Sequence, residues 1–443
     1  MSEPSADPQA TALRPQRALL VGVVLPGTPP WEAEESLNEL GRLADTATLG
    51  EAGRVLQRRQ RVDATYYVGK GKAAQIQQLA ADGGADLIVF DNDLSPAQMR
   101  NLEKTTGTRI LDRSGLILDI FARHARTRTA QIQVELAQLQ YLLPRLTGQW
   151  THLSRQAGGG AIRGMGAVGT RGPGETQLEM DRRAIRSSIR DLREKLERIG
   201  TQMAVSRRAR REAYKVVLVG YTNAGKSTLM RALSGAQVRV MDRLFATLDS
   251  TTRQVELDSH QHILLTDTVG FIRKLPHHLF ASFRATLEVA VEADLLLHVV
   301  DLSHPHYQAQ METVQSVLRD LQLEDRPQLV VYNKVDCLAE GEEERVGEGL
   351  AGDGESVRIS ALTGLGLEAL REQIRLRAQA GAVVLELAVP QSEGRLLSRL
   401  YAGGEVLARS FEDNTVRLRL SLDRSLVSRM QLGRFRVAET VPS

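Results

Sequence analysis

A single cysteine, Cys337, among 443 residues excludes an intramolecular disulfide and any metal site built from paired cysteines. That scarcity fits a reducing compartment, and a cytoplasmic location is expected. No apolar run approaches the roughly 20 residues of a membrane-spanning helix, so no span is expected. Residues 1–16, MSEPSADPQATALRPQ, are acidic and proline-containing with no apolar core, which excludes a secretory signal and predicts a loose tail. Aromatic residues make up 4% of the chain, too few to interleave basic segments with stacking platforms for single-stranded nucleic acid. Nor does one charge predominate: 57 Lys+Arg face 54 Asp+Glu, so a basic surface for a polyanion must be local. What is present is ordinary for a globular protein, with 42% hydrophobic and 25% charged residues over a length that predicts two or more domains.

The sharpest pattern lies in AYKVVLVGYTNAGKSTLMRAL. Val216–Val219 reads as a buried strand, followed by a glycine-bounded loop and an amphipathic helix. Gly220, Gly225, Lys226 and Ser227 satisfy G-x-x-x-x-G-K-[ST], a phosphate loop that also contains Tyr221, Thr222, Asn223 and Ala224. Glycines let backbone N–H groups turn onto phosphate oxygens, and the helix N-terminus adds the positive end of its dipole. Lys226 is expected to reach the β- and γ-phosphates, and the Ser227 hydroxyl to ligate Mg²⁺.

Four downstream segments, in a fixed order, specify the rest of a nucleotide site. VVYNKVD places Asn333, Lys334, Val335 and Asp336 at the end of an apolar strand. A carboxylate there accepts both the N1–H and the exocyclic amine of guanine, whereas adenine offers no such donor pair. VRISALTG supplies Ser360, Ala361 and Leu362, a loop expected to back the guanine ring. LFATLDSTTR contributes Phe245, Ala246, Thr247, Leu248 and Asp249, with Thr247 closing over the γ-phosphate and completing the Mg²⁺ shell. In LLTDTVGF, Asp267 meets Mg²⁺ through water, Thr268 and Val269 follow, and Gly270 lies on the γ-phosphate. Lys226, Thr247 and Gly270 are thus the candidate catalytic groups for conversion of GTP to GDP and phosphate. One part is missing. Ras-like GTPases follow this glycine with a glutamine that orients the attacking water. Here the position is Phe271, and no side chain is identified as a general base.

Apolar strands near 216–219, 263–266, 295–300, 329–332 and 357–359 alternate with helix-like stretches. They predict an α/β GTPase domain over residues 214–380, with a doubly wound, mostly parallel sheet and the motifs at the strands' carboxyl ends. His277 and His278, after Pro276, read as solvated loop residues.

Residues 17–121 predict a separate small α/β domain, with strands at RALLVGVV and Leu87–Phe90 and a helix started by Ser95 and Pro96. Its Gly69-Lys70-Gly71-Lys72 lacks the spacing of a phosphate loop and reads as a basic turn capping the next helix; RNA or a second nucleotide is the other reading. Residues 122–213 predict an antiparallel coiled-coil hairpin. Ile132, Leu136, Leu139, Leu143 and Leu146 step by four and three, and Leu178, Ile185, Ile189, Leu192, Leu196 and Ile199 step by seven and then by four and three. Between the helices, 155–174 is rich in glycine, has no acid, and carries Arg155, Arg163 and Arg171. An inert connector needs only a few residues. A cationic loop at the tip of a rigid arm suits a polyanionic crevice, with rRNA phosphates as the expected contact; a plain linker is the alternative. From Asp181 to Lys215, 12 Lys+Arg and 5 Asp+Glu leave +7, against +3 for the whole chain. Residues 381–443 match no sharp motif and read as a small α+β domain.

Together these pieces resemble the HflX family of translational GTPases. YYVGKGK, VFDNDLSPAQMRNLE, RILDRSGLILDIFARHARTRTAQIQVELAQLQYLLPRL, RGPGETQLE, GYTNAGKSTL, LFATLD, DTVGF and NKVD carry the likeness over about 17–380. Ser250 departs from it, where related sequences often have proline. The resemblance implies binding to the large ribosomal subunit and to 70S ribosomes, with the tip loop near the peptidyl-transferase centre. It also implies splitting of stalled ribosomes in the GTP state under stress such as heat. Phe271 would turn away from the phosphates, and the ribosome would order the switches or supply the missing group. DNA is not an expected partner, and a monomer is expected. Two other readings stay open: a GTP-gated rRNA-binding factor in large-subunit assembly, and a partner in tRNA modification. The tRNA-modification GTPases end in a cysteine that this chain lacks.

Overall fold

Arg17–Val24 (β1) is apolar and buried along nearly its whole length, as a strand covered on both faces must be. The computed structural model describes residues 15–146, 177–208, 214–235, 244–245, 250–257, 262–274, 289–338, 356–379, 382–423, 427, 430 and 432–439. They fall into two units: Met1–Ala125 with Gln131–Asp191 and Arg273–Leu279, and Arg126–Ala130 with Leu192–Ile272 and Phe280–Ser443.

In the first unit β1 is followed by α1 (Pro30–Thr46), β2 (Gly50–Arg58), α2 (Lys70–Asp82), β3 (Leu87–Phe90), α3 (Pro96–Thr106), β4 (Arg109–Asp112) and α4 (Arg113–His124). The strands lie in the order β2-β1-β3-β4, all parallel. Ser95 and Gln98 form a reciprocal capping box at α3, with Pro96 in the first turn. Gly69 takes the N-cap of α2 and puts Lys70 and Lys72 in its first turn, the basic turn expected there. Charges are buried here in ion-paired groups. Arg113, 1% exposed, pairs with Asp91 at 2.7 Å and with Glu39, while Ser36 and Lys274 also donate to Asp91. A buried carboxylate is tolerated only with such partners.

A second buried group fixes α5 (Arg128–Leu142). Asp112, 0% exposed, accepts from the Tyr141 hydroxyl at 2.7 Å and from Arg145 at 3.0 Å. Ile132 and Leu136 are buried as their heptad spacing predicts, but so are Val134 and Ala137, so more than one stripe of α5 is enclosed. The expected helix does not run on to Leu146. Pro144 lacks an N–H, and Leu143–Arg145 tighten into a 3-10 turn. On α6 (Gln177–Arg208) Ile189 and Leu192 are buried, and Arg182 donates to the Leu146 carbonyl at 3.1 Å. The tip loop with Arg155, Arg163 and Arg171 lies outside the described residues.

The second unit holds β5 (Tyr214–Gly220), α7 (Lys226–Ser234), β6 (Thr251–Glu256), β7 (His262–Asp267), β8 (Leu295–Asp301), α8 (Tyr307–Asp320), β9 (Gln328–Asn333), β10 (Ser356–Arg358) and α9 (Leu367–Gln379). The sheet order is β10-β9-β8-β5-β7-β6, parallel except for β6, which runs antiparallel to β7. Val216, Leu218, Leu265, Leu297, Val299 and Val331 form the centre of its core. A further sheet, β11 (Ala382–Pro390), β12 (Gly404–Glu412), β13 (Thr415–Asp423) and β14 (Arg436–Glu439), is antiparallel in the order β12-β13-β11-β14. Leu385, Leu387, Val389, Leu418 and Leu420 alternate into its core, which α10 (Gly394–Gly403) joins through Leu397 and Leu400. Among the described residues no helix is long and apolar enough to cross a membrane.

Candidate nucleotide-binding site

β5, β7, β8 and β9 run parallel, so the residues at their carboxyl ends collect along one edge of the sheet. Gly220 ends β5, Tyr221 to Gly225 make the turn, and Lys226 opens α7. Gly225 has φ 95°, and a Cβ there would lie 2.1 Å from Asn333 Nδ2, so both conformation and space demand glycine. Lys226 is 7% exposed and donates to the carbonyls of Gly220 at 3.1 Å and Tyr221 at 2.8 Å. Burial pulls its ammonium down to about 8, against the opposing pull of Asp267. The Ser227 hydroxyl donates to Asp267 Oδ2 at 2.6 Å, joining two segments 40 residues apart in sequence. Asp267 itself is 2% exposed, and the Thr268 hydroxyl anchors the next residue to the Leu218 carbonyl at 2.6 Å.

One amide links the other two segments. Asn333 Nδ2 donates to the Ala224 carbonyl and its Oδ1 accepts from Ala361 N–H, each at 2.9 Å, so the phosphate-loop turn and the SAL loop are tied through NKVD. Lys334 adopts a left-handed conformation and pairs with Asp301 at 2.6 Å, and Val335–Cys337 form a 3-10 turn that leaves Asp336 exposed. Hydrogen bonding from Ser360 is the main cause holding the Asp336 carboxyl below its usual range. Ser360 and Ala361 are buried while Leu362 stands out at 73% exposure.

Phe271 is held by its main chain. Its N–H donates to the Gly220 carbonyl at 3.1 Å and its carbonyl accepts from Thr222 N–H at 2.8 Å, a parallel bridge between the phosphate loop and the segment after β7. The ring is buried at 3% exposure. Gly270 is close-packed, since a Cβ there would lie 2.8 Å from Thr222 Cα and 3.0 Å from Lys226 Nζ. Val269 and Phe245 are also buried, whereas Ala246, Thr247, Leu248 and Asp249, like His277 and His278, lie outside the described residues.

Two residues of this edge escaped the sequence reading. Asp301 ends β8 and holds Lys334; its signal was a carboxylate at the end of an apolar strand, the same signal that marks Asp267. His298 is 1% exposed on β8, where burial first and Lys226 second push its imidazole down to about 4, so it is neutral at physiological pH. Nothing in its sequence context marked it.

Three family models match the chain in succession: a GTP-binding GTPase N-terminal region over residues 34–122, a GTP-binding GTPase middle region over 124–210, and a 50S ribosome-binding GTPase over 215–334. GTPase HflX of Caldanaerobacter subterraneus subsp. tengcongensis is 41% identical over 94% of this chain and 93% of its own. GTPase HflX of Escherichia coli is 43% identical, covering 83% of this chain and 84% of the relative. A GTP-binding protein from the archaeon Sulfolobus solfataricus, solved in complex with GDP, matches with a TM-score of 0.42 at 23% identity, over 82% of this chain and 99% of that one. With relatives at this identity over nearly their whole length, the chain belongs to the HflX family of GTPases.

Proposed function

We propose that this GTPase binds the large ribosomal subunit and 70S ribosomes, separates stalled ribosomes in its GTP state, and resets by hydrolysing GTP to GDP and phosphate. The observation that carries the nucleotide part is the tie of Asn333 to both Ala224 and Ala361, which draws phosphate loop and base-reading loop to one sheet edge. In this reading Gly220 to Ser227 hold the phosphates and Gly270 faces the γ-phosphate. Asp336 reads guanine, backed by Ser360, Ala361 and Leu362. The Ser227 hydroxyl and the Asp267 carboxylate are hard oxygen donors already in contact, a set that fits Mg²⁺, with Thr247 assigned to the same ion. Bound there, Mg²⁺ would neutralise charge developing on the transferred phosphoryl group.

The match to a 50S ribosome-binding GTPase model supports the ribosomal partner. So does the charge of Asp181 to Lys215, where 12 Lys+Arg face 5 Asp+Glu. Because Phe271 supplies no chemistry, the free protein should turn over slowly, and large subunits should raise kcat when phosphate release is measured with and without them. Phe271→Ala should leave the stimulated rate within about tenfold of wild type, a barrier change near 1.4 kcal/mol, at temperatures where the variant stays folded. A large loss in the folded variant would show that the ring itself serves hydrolysis.

Deleting Gly158 to Gly174 tests the arm. The deletion should spare GTP binding and intrinsic hydrolysis but abolish ribosome splitting, read by light scattering. Normal splitting by the deleted protein would make this segment a linker.

A further inference from the structure

Thr222 carries a polar group that the fold does not use. The residue is 7% exposed, and its hydroxyl oxygen is buried with no hydrogen-bond partner among the described residues. A hydroxyl in that position has given up its bonds to water without replacing them, a cost that valine of the same shape would not incur. Packing therefore favours valine at 222, and the threonine calls for another explanation. Its neighbours supply one. The Thr222 N–H is bonded to the Phe271 carbonyl, and the close approach at Gly270 is made by Thr222 Cα and Cγ2, each at 2.8 Å from a Cβ built there, and by Lys226 Nζ at 3.0 Å. Thr222 and Lys226 thus flank Gly270 together, and Lys226 and Gly270 are both assigned to the γ-phosphate.

We propose that the Thr222 hydroxyl is a ligand of the third phosphate, donating a hydrogen bond to a terminal γ-phosphoryl oxygen of GTP. The inference rests on the nucleotide assignment above and deepens it. Phe271 offers no side-chain donor beside Gly270; Thr222 offers one from the opposite strand of the same bridge. GDP has no γ-phosphoryl oxygen, so the bond exists in one nucleotide state only. An interaction that differs between states is what shifts a protein between them.

The experiment measures affinity for GDP and for the β,γ-imido analogue of GTP, together with steady-state phosphate release, in wild type and in Thr222→Val, Thr222→Ala and Thr222→Ser. Losing a bond to a charged oxygen should weaken analogue binding roughly 10- to 100-fold in the valine and alanine variants. GDP affinity should stay within about twofold, and serine should restore the analogue preference. Without nucleotide, Thr222→Val should melt at or above the wild-type temperature, because an unsatisfied buried hydroxyl has been removed. An unchanged ratio of analogue to GDP affinity in both Thr222→Val and Thr222→Ala would overturn the proposal. An equal loss of both nucleotides would also overturn it, since the hydroxyl would then serve the diphosphate or the fold. Failure of the wild type to bind either nucleotide would overturn this proposal and the nucleotide assignment with it.

Discussion

Lys226→Ala should reduce GTP turnover by roughly a thousandfold while the protein stays folded. The ammonium lies at the edge where the phosphates are assigned, 7% exposed, held by two carbonyls at 3.1 and 2.8 Å. Those carbonyls keep it in place before nucleotide arrives, so its charge costs little reorganisation when negative charge builds on the phosphoryl oxygens. Alanine removes that charge and leaves the buried Asp267 without a cation it interacts with, which adds repulsion toward an anionic substrate. Ser227→Ala should act through the same centre by removing the hydroxyl now 2.6 Å from Asp267. Phosphate release by purified variants, with folding checked by circular dichroism, decides the matter. Retained release in either folded variant would refute the phosphate-loop assignment.

The second large effect is a change of base. Asp336→Asn should weaken GTP binding by roughly a hundredfold, because two hydrogen bonds to a charged acceptor are lost or inverted. Xanthine nucleotides should bind better, since the new amide donates to the 2-oxo group where guanine carries an amine. Asp336 is well placed to discriminate. Its carboxyl is held below the usual range, chiefly by Ser360, so it is charged at neutral pH, and the 3-10 turn Val335–Cys337 presents it at the surface. Competition of GTP, XTP and ATP for the variant measures the change. An undiminished preference for guanine over adenine in Asp336→Asn would remove Asp336 from the base site.

Much of this site was legible because its chemistry demands particular residue types at fixed spacing. Glycines at 220 and 225, Lys226 and Ser227 have few substitutes where backbone must approach phosphate, and Asp267 and NKVD follow buried strands whose apolar runs announce them. Elements with weaker side-chain signals were not legible. β6 (TTRQVE) buries only Val255, and β2 (GEAGRVLQR) only Val55, because both lie at sheet edges where alternation has little to report. The bridge of Phe271 to Gly220 and Thr222 uses main-chain groups that every residue except proline possesses, so no residue type announces it. The same holds for Asn333, whose place in NKVD suggested a ligand contact but not that its amide ties Ala224 to Ala361. The helix of residues 128–142 was legible in its spacing and misjudged in its length, since Pro144 ends a stretch that the leucines alone would continue.

The most direct test of ribosome splitting in the GTP state is sedimentation of 70S ribosomes through a sucrose gradient after incubation with this protein and a non-hydrolysable GTP analogue. The proposed function predicts loss of the 70S peak, matching gains of free small and large subunits, and protein travelling with the large subunit; GDP should leave the 70S peak in place. An intact 70S peak with the analogue, and protein found only on large subunits that were already free, would contradict splitting and point to a factor acting in large-subunit assembly.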